Sequence, residues 1–143
     1  MVSFILKVTA KTASNTRKLP IDLLKLCGNT LWSSHGEWKV PTVVMTPVGA
    51  GIHGSIYHSH SFDAVMTHLS GWKIVMPSTP YDAKGLLISA IRDPDPVIFF
   101  EPKKVYRAIK EEVPEEMYEI PLGKANVIEE GSQITLITYG AML

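Results

Sequence analysis

Three histidines, His53, His58 and His60, follow a glycine-rich turn within a short stretch of the chain. Imidazole is the side chain best suited to proton transfer, because its ordinary pKa of about 6.5 lies near neutral pH. The separations of five and two residues match no standard zinc spacing, and no cysteine or glutamate completes a ligand set. The pattern favours a proton-handling group over a metal centre. The alternative for any single histidine is a role in capping or packing the loop.

The turn itself contains Gly49, Gly51 and Gly54, which match the dinucleotide-binding pattern G-x-G-x-x-G as text. A nucleotide site also needs a helix directly after the glycines and an acidic residue about 20 positions later. The segment SIYHSHSF does not predict a helix, and no such acidic residue follows in a strand. We therefore expect a tight loop that brings backbone close to a ligand or a partner.

The elements around this loop predict an α/β fold with a mostly parallel sheet flanked by helices. Apolar runs predict strands, and stripes at helical spacing predict helices. The strands are expected at 40–46, 72–76 and 97–100, and the helices at 20–35, at 61–70 and from Pro80 to Ile91. A strand, a helix and a strand in this succession imply a right-handed crossover between parallel strands.

Helix ends are predicted from the capping residues. Gly28 and Asn29 are expected to stop the first helix, and Ser61 is expected to cap the second. Thr79 before Pro80 is the clearest signal, because proline at the first helical position loses no hydrogen bond. The strand 40–46 is expected to end before Pro47.

Composition excludes several classes of function. Lys+Arg and Asp+Glu are 14 each, which argues against nucleic-acid binding and against a membrane-surface patch. No apolar run approaches the roughly 20 residues that a membrane span needs. The single cysteine, Cys27, favours a reducing compartment and a buried apolar role over a reactive thiol. We expect a cytoplasmic protein. The alternative is the mitochondrial matrix, because residues 1–21 are basic and contain no acid.

Several motifs resemble one protein family. They are YHS, MPSTPYDAKGLL, IRDPDPV, FFEPK, EVPEE and the final ITYGAM. From about Gly36 to Leu143 the chain resembles the β subunit of the thiamine-diphosphate-dependent decarboxylase component of 2-oxoacid dehydrogenase complexes, of the branched-chain or pyruvate type. The resemblance implies a transketolase-like pyrimidine-binding domain. It also implies oxidative decarboxylation of a 2-oxoacid with acyl transfer to a lipoyl group.

The resemblance assigns roles to the histidine loop. The family pattern Tyr-His-Ser-Gln-Ser corresponds here to Tyr57-His58-Ser59-His60-Ser61. His58 matches the active-site histidine, and Tyr57, Ser59, His60 and the three glycines would support it. The chain departs from the pattern at His60, where glutamine is usual. It also departs at Met45, where arginine is common.

The resemblance also implies cofactors and partners. Thiamine diphosphate would be shared with an α subunit that also carries Mg²⁺. The other partners would be a second β chain and the lipoyl acyltransferase core. The glutamate that activates thiamine in this family has no counterpart in residues 1–35. A potassium ion is expected at Ala90, Asp93 and Asp95, and the alternative there is a plain Asp-Pro turn.

Four segments are predicted along the chain: a weakly matching start at 1–35, a pyrimidine-binding core at 36–102, a linker or arm at 103–130, and the first strand of a further domain at 131–143, with Ile134 to Thr138 extended.

Two alternatives to the enzyme function stay open. One alternative is a truncated non-catalytic module that binds an α subunit, or a relic fragment. Another is a piece of a transketolase-type enzyme, although the chain contains no Gly-Asp-Gly followed by Asn.

Overall fold

The computed structural model describes residues 4–7, 19–51 and 59–143. These residues form a four-stranded sheet with the strand order β1-β2-β4-β3, and every neighbouring pair is parallel. The strands are β1 (Phe4–Lys7), β2 (Thr42–Val48), β3 (Lys73–Val75) and β4 (Val97–Pro102). The helices are α1 (Leu19–Ser33), α2 (Asp63–Met66) and α3 (Pro80–Arg92), with 3₁₀ helices at Lys103–Val105 and Gly140–Met142. The predicted α/β class is confirmed.

Strand β4 lies inside the sheet and is buried on both faces, which explains its continuous apolar run. Ile98 and Phe100 face a core that includes Leu24 of α1. Val97 and Phe99 face the other core, which includes Ala90 of α3. The sheet is therefore covered by α1 and α2 on one side and by α3 on the other.

Helix α3 begins as its capping residues predict. The Thr79 hydroxyl accepts a hydrogen bond from the Asp82 N–H at 3.1 Å, and Pro80 occupies the first helical position. The helix ends at Arg92 with Asp93 in an extended conformation before Pro94. Both ends of α3 are therefore set by residues next to them, and the helix covers one face of the sheet.

The prediction that Gly28 ends helix α1 is wrong. The helix continues to Ser33, where the Gly36 N–H bonds to the Leu31 carbonyl at 2.8 Å and His35 adopts a left-handed φ of 54°. Gly28 serves close packing instead, since a Cβ there would lie 2.3 Å from the Ser70 carbonyl oxygen. Gly28 therefore marks a close contact between helix α1 and Ser70, and not the end of the helix.

The second predicted helix, 61–70, is much shorter than expected. Only α2 (Asp63–Met66) is helical, and Phe62 rather than Ser61 precedes it, without a side-chain cap. Of the apolar residues in the predicted helix, Phe62, Met66 and Leu69 pack against the α1-side core, whereas Val65 is 61% exposed. One turn is enough to place these side chains, so the segment continues as turns to Gly71.

Strand β2 runs through Pro47, where an end was predicted. Its pairing with β1 reaches only Met45, so a missing N–H at Pro47 costs little on that edge. Strand β1 was not predicted. Strands β3 and β4 agree with the predicted positions within two residues.

The predicted strand from Ile134 to Thr138 is wrong for this structure. Those residues form no strand, and Leu136 and Ile137 are 88% and 91% exposed. An apolar run becomes a strand only when it finds another edge to pair with, and this run pairs with none among residues 4–7, 19–51 and 59–143. After it, Gly140 is buried at Met76, and the Tyr139 hydroxyl donates to Asp63 Oδ2 at 2.6 Å. Among the described residues, no helix has the length and apolar character to cross a membrane.

Candidate functional site

The glycine-rich loop leaves the sheet at the carboxyl end of β2. Gly49 and Gly51 have φ values of 83° and 112°, which only glycine adopts readily, and no atom of the described residues lies within 4 Å of a Cβ built at either. The Gly49 N–H donates to the His60 carbonyl at 3.1 Å. This bond joins the two ends of the loop and fixes its base at the edge where α/β folds bind ligands.

The sequence-predicted residues of this loop fall into two groups. Gly49, Gly51, Ser59 and His60 lie at its base, with Ser59 half-buried and His60 exposed. Residues 52–58, which include His53, Gly54, Tyr57 and His58, lie outside the described residues. The predicted role of His58 therefore stays a prediction.

His60 stacks on Phe62, with ring centroids 5.3 Å apart and an angle of 17° between the rings. Phe62 in turn packs against the core on the α1 side of the sheet. Through this contact the end of the loop is anchored to the core. The sequence singled out His60 as a departure from the family pattern, but gave no sign of its aromatic partner.

The predicted potassium residues lie at the opposite edge of the sheet, where α3 ends and β4 begins. Ala90 is buried in the α3-side core, and the Asp93 carboxylate accepts the Asp95 N–H at 2.9 Å. Lys73 Nζ lies 2.8 Å from both Asp93 oxygens and 3.0 Å from Asp95 Oδ2. A protein ammonium group thus contacts both carboxylates that were expected to bind a cation.

Sequence reasoning missed Lys73. Burial lowers the pKa of Lys73, but hydrogen bonds and charge from Asp93 and Asp95 outweigh it, and the net pKa is raised. Lys73 begins β3, and its N–H bonds to the Pro96 carbonyl at 3.1 Å, just before β4. Only the parallel pairing of β3 with β4 reveals this proximity. In the part of the chain that the structure describes, no group of three or more His, Cys, Asp or Glu could hold a metal ion.

Residues 106–122, called the arm below, lie along helix α3. Lys84 Nζ donates to the carbonyls of Pro114, Glu115 and Glu116, the last two at 3.1 and 3.0 Å. The Tyr118 ring stacks on Tyr81 with centroids 4.4 Å apart. The acidic part of the arm is therefore attached to the helix through its backbone carbonyls.

Small residues on α3 let the arm approach. A Cβ at Gly85 would lie 2.7 Å from both Ile120 Cγ1 and Tyr118 Cε2. The buried Ser89 hydroxyl lies 2.7 Å from the Ile120 carbonyl, and Arg92 pairs with Glu119. Gly85 is the sequence feature that could have predicted this contact, because a glycine inside an otherwise strong helix often marks a close approach by another segment.

The surroundings of the single cysteine disfavour a reactive thiol. Cys27 is half-buried in α1, and burial raises the pKa of its thiol, which disfavours the reactive thiolate. This environment agrees with a packing role.

Comparison with known proteins places this geometry in context. Residues 30–109 match the family model for the transketolase pyrimidine binding domain. The chain is 57% identical over 109 residues to 2-oxoisovalerate dehydrogenase subunit beta of Bacillus subtilis, covering 76% of this chain and 33% of that protein. It is 51% identical over 110 residues to pyruvate dehydrogenase E1 component subunit beta of Acholeplasma laidlawii, covering 77% and 34%. The corresponding Bacillus subtilis pyruvate dehydrogenase subunit is 52% identical over 112 residues, covering 78% and 34%. The chain spans about a third of the length of these relatives.

Proposed function

Because the chain belongs to the family of transketolase pyrimidine-binding domains, we propose that it works as the β-type component of a 2-oxoacid dehydrogenase. The reaction would be oxidative decarboxylation of a 2-oxoacid with acyl transfer to a lipoyl group. The observation that carries the proposal is the family match together with the closed loop base at Gly49 and His60. The relatives' names divide between pyruvate and 2-oxoisovalerate, so the proposal names only the class of substrate.

The cofactor of this proposal is thiamine diphosphate, which supplies carbanion stabilisation when bound. His58 would hold or move a proton at its imidazole, and the loop base would orient it. The fit to the cofactor is incomplete. No Asp or Glu occurs before Asp22 or between Glu37 and Asp63, so the segments that follow β1 and β2 carry no carboxylate. Cofactor activation by this chain alone is therefore not part of the proposal.

The proposed partners follow the relatives' subunit names. An α subunit would hold the diphosphate and Mg²⁺, and a second β chain and the lipoyl acyltransferase core would complete the assembly. A potassium ion at Ala90, Asp93 and Asp95 belongs to the proposal as well, in competition with the Lys73 ammonium group. The relatives named above are bacterial, which supports a cytoplasmic location over the mitochondrial matrix.

A second candidate is a non-catalytic module that binds an α subunit. The missing carboxylate after β1 and β2 favours it, because α-subunit binding does not require cofactor activation. The two candidates differ in one respect: only the first expects the histidine loop to function within a full-length β subunit.

A chimera separates them. The matched third of Bacillus subtilis 2-oxoisovalerate dehydrogenase subunit beta is replaced by the matching residues of this chain, and decarboxylation is measured with the α subunit. The catalytic proposal expects turnover that His58→Ala lowers by about 10² to 10⁴-fold, while His60→Gln retains it. A folded chimera without turnover, or one indifferent to His58→Ala, supports the non-catalytic module.

A further inference from the structure

The segment that ends the histidine loop, residues 59–66, is half-buried or exposed throughout. It contains α2, which is a single turn, and in the part of the chain that the structure describes the start of α2 has no side-chain cap. Phe62 and Met66 pack against the α1-side core, and the Met66 N–H donates to the Phe62 carbonyl at 2.8 Å. A segment with so little burial opens easily unless further contacts hold it.

A hydrogen bond from a distant part of the chain supplies such a contact. The Tyr139 hydroxyl donates to Asp63 Oδ2 at 2.6 Å, although 76 positions separate the two residues. Asp63 is the first residue of α2, and its carbonyl accepts the Thr67 N–H at 3.0 Å. A charged acceptor makes such a bond shorter and stronger than one between neutral groups. Tyr139 therefore ties the first turn after the histidine loop to residues far along the chain.

Residues 139–142, called the strap below, are themselves fixed at the carboxyl edge of the sheet. Gly140 is buried with a φ of 60°, and a Cβ there would collide with Met76 Sδ. Met76 follows β3 and packs against the α1-side core. The 3₁₀ helix Gly140–Met142 lies beside the 3₁₀ helix Lys103–Val105, which follows β4. The strap thus lies at the same edge of the parallel sheet that the histidine loop leaves after β2.

The residues before the strap show where its contact begins. Leu136 and Ile137 are 88% and 91% exposed, whereas Gly140 is buried. The chain therefore returns to the folded body at Tyr139 and Gly140, and it does so next to the first residue after Phe62. Phe62 is the residue on which the His60 ring stacks, so the strap reaches the base of the histidine loop through one turn of helix.

We propose that Tyr139 is a positioning residue for the histidine loop. Its hydrogen bond to Asp63 holds α2, α2 holds Phe62, and Phe62 supports His60, whose carbonyl closes the loop base with the Gly49 N–H. This role rests on the proposed function, because only that function gives the loop a task. The contact between the strap and α2 can be tested without turnover.

The first test is amide hydrogen exchange in the 143-residue chain, followed residue by residue by NMR. The reporters are the amides of Gly49, Met66 and Thr67, whose hydrogen bonds close the loop base and α2. We expect Tyr139→Phe to speed their exchange about fivefold relative to the amides of β4, the usual effect of losing one hydrogen bond. Unchanged exchange at all three amides overturns the proposal.

The matched control for that variant is Tyr106→Phe. The Tyr106 hydroxyl also donates to a carboxylate at 2.6 Å, that of Glu101, but at a place outside the strap. Its removal should leave the three reporter amides unchanged. If Tyr106→Phe speeds their exchange as much as Tyr139→Phe does, the effect is general loosening of the fold and the proposal is overturned.

Variants of the partner residue isolate the contact. Tyr139→Phe should have no further effect on exchange in Asp63→Ala, because the acceptor is already gone. Asp63→Asn keeps an oxygen acceptor and should retain most of the slow exchange. Gly140→Ala should speed exchange by displacing the strap, and thermal unfolding checks that each variant is folded. Equal effects of Tyr139→Phe with and without the Asp63 carboxylate overturn the proposal.

The second test measures turnover with the α subunit, in a chimera that carries residues 36–143 of this chain. Tyr139→Phe should lower kcat about fivefold with little change in KM, and Asp63→Asn should retain more activity than Asp63→Ala. An unchanged kcat in a variant whose exchange is faster overturns the positioning role. A chimera without turnover even with Tyr139 in place overturns the proposed function and the positioning role with it, whereas the exchange result decides the strap contact by itself.

Discussion

Lys84 Nζ lies 5.2 Å from the centroid of the Tyr118 ring, at a cation–π distance, although the two residues are far apart in the sequence. Tyr118 also donates its hydroxyl to the Tyr81 carbonyl at 2.8 Å. The contact attaches the charged arm to helix α3, which itself covers one face of the sheet.

Replacing Lys84 should release the arm. We expect Lys84→Met to lower the free energy of unfolding by about 1–3 kcal/mol, because charge-assisted hydrogen bonds and the cation–π contact are both lost. Hydrogen exchange should rise in residues 111–122 while β4 stays protected. Lys110→Met, at an exposed position outside this contact, is the control. Unchanged exchange in the arm would show that Lys84 does not hold it.

The second prediction concerns Gly28→Ala, for which helix propensity and tertiary packing predict opposite changes in stability. Alanine inside a helix normally stabilises by up to about 1 kcal/mol relative to glycine. Here the new Cβ would meet the Ser70 carbonyl and, at 2.8 Å, Trp72 Cδ1. We expect Gly28→Ala to destabilise the fold by about 1–3 kcal/mol in chemical denaturation.

The exposed neighbour Asn29 is the matched control for that substitution. Asn29→Ala should be neutral or slightly stabilising, because alanine has the higher helix propensity. A stabilising Gly28→Ala would contradict the close contact between α1 and the Ser70–Trp72 segment.

Tyr106 predicts a dependence of stability on alkaline pH. Burial, followed by the hydrogen bond and charge of Glu101, raises the pKa of Tyr106 in the folded chain. Its contribution is therefore complete below the unfolded pKa of about 10 and is lost as pH rises toward the folded pKa. Tyr106→Phe should be less stable by about 1 kcal/mol or less at pH 7, since the residue is half exposed. That difference should shrink above pH 10 in denaturation series. A difference that does not change with pH would contradict the assigned hydrogen bond.

The proposed potassium site can be tested by replacing Lys73. Its ammonium group contacts Asp93 and Asp95, so a bound cation has to share or displace it. We expect Lys73→Met to lower the melting temperature in choline chloride, and potassium to restore it more in this variant than in the wild type. Lys104→Met, with an exposed lysine elsewhere, should show no such effect. If potassium and choline act alike on Lys73→Met, no cation site exists between these carboxylates.

The local signals in the sequence predicted the α3 side of the fold well. Thr79, Pro80 and the apolar stripe of α3 describe a helix whose ends and buried face are set by its own residues. The contacts that depend on distant segments were not predictable. Lys73 with Asp93, Gly28 with Ser70, and the arm on α3 all require the sheet order and the helix positions. The strand expected at Ile134 to Thr138 failed for the same reason, because strand formation depends on a partner edge that local sequence does not report.

The most direct test of the proposed function is complex formation with an α subunit. The 143-residue chain is mixed with the α subunit of Bacillus subtilis 2-oxoisovalerate dehydrogenase, and the mass of the product is measured by size-exclusion chromatography with light scattering. The account predicts a stable complex containing both chains, without decarboxylation when this chain is the only β component. Two separate peaks at micromolar concentrations, or turnover by that mixture, would contradict it.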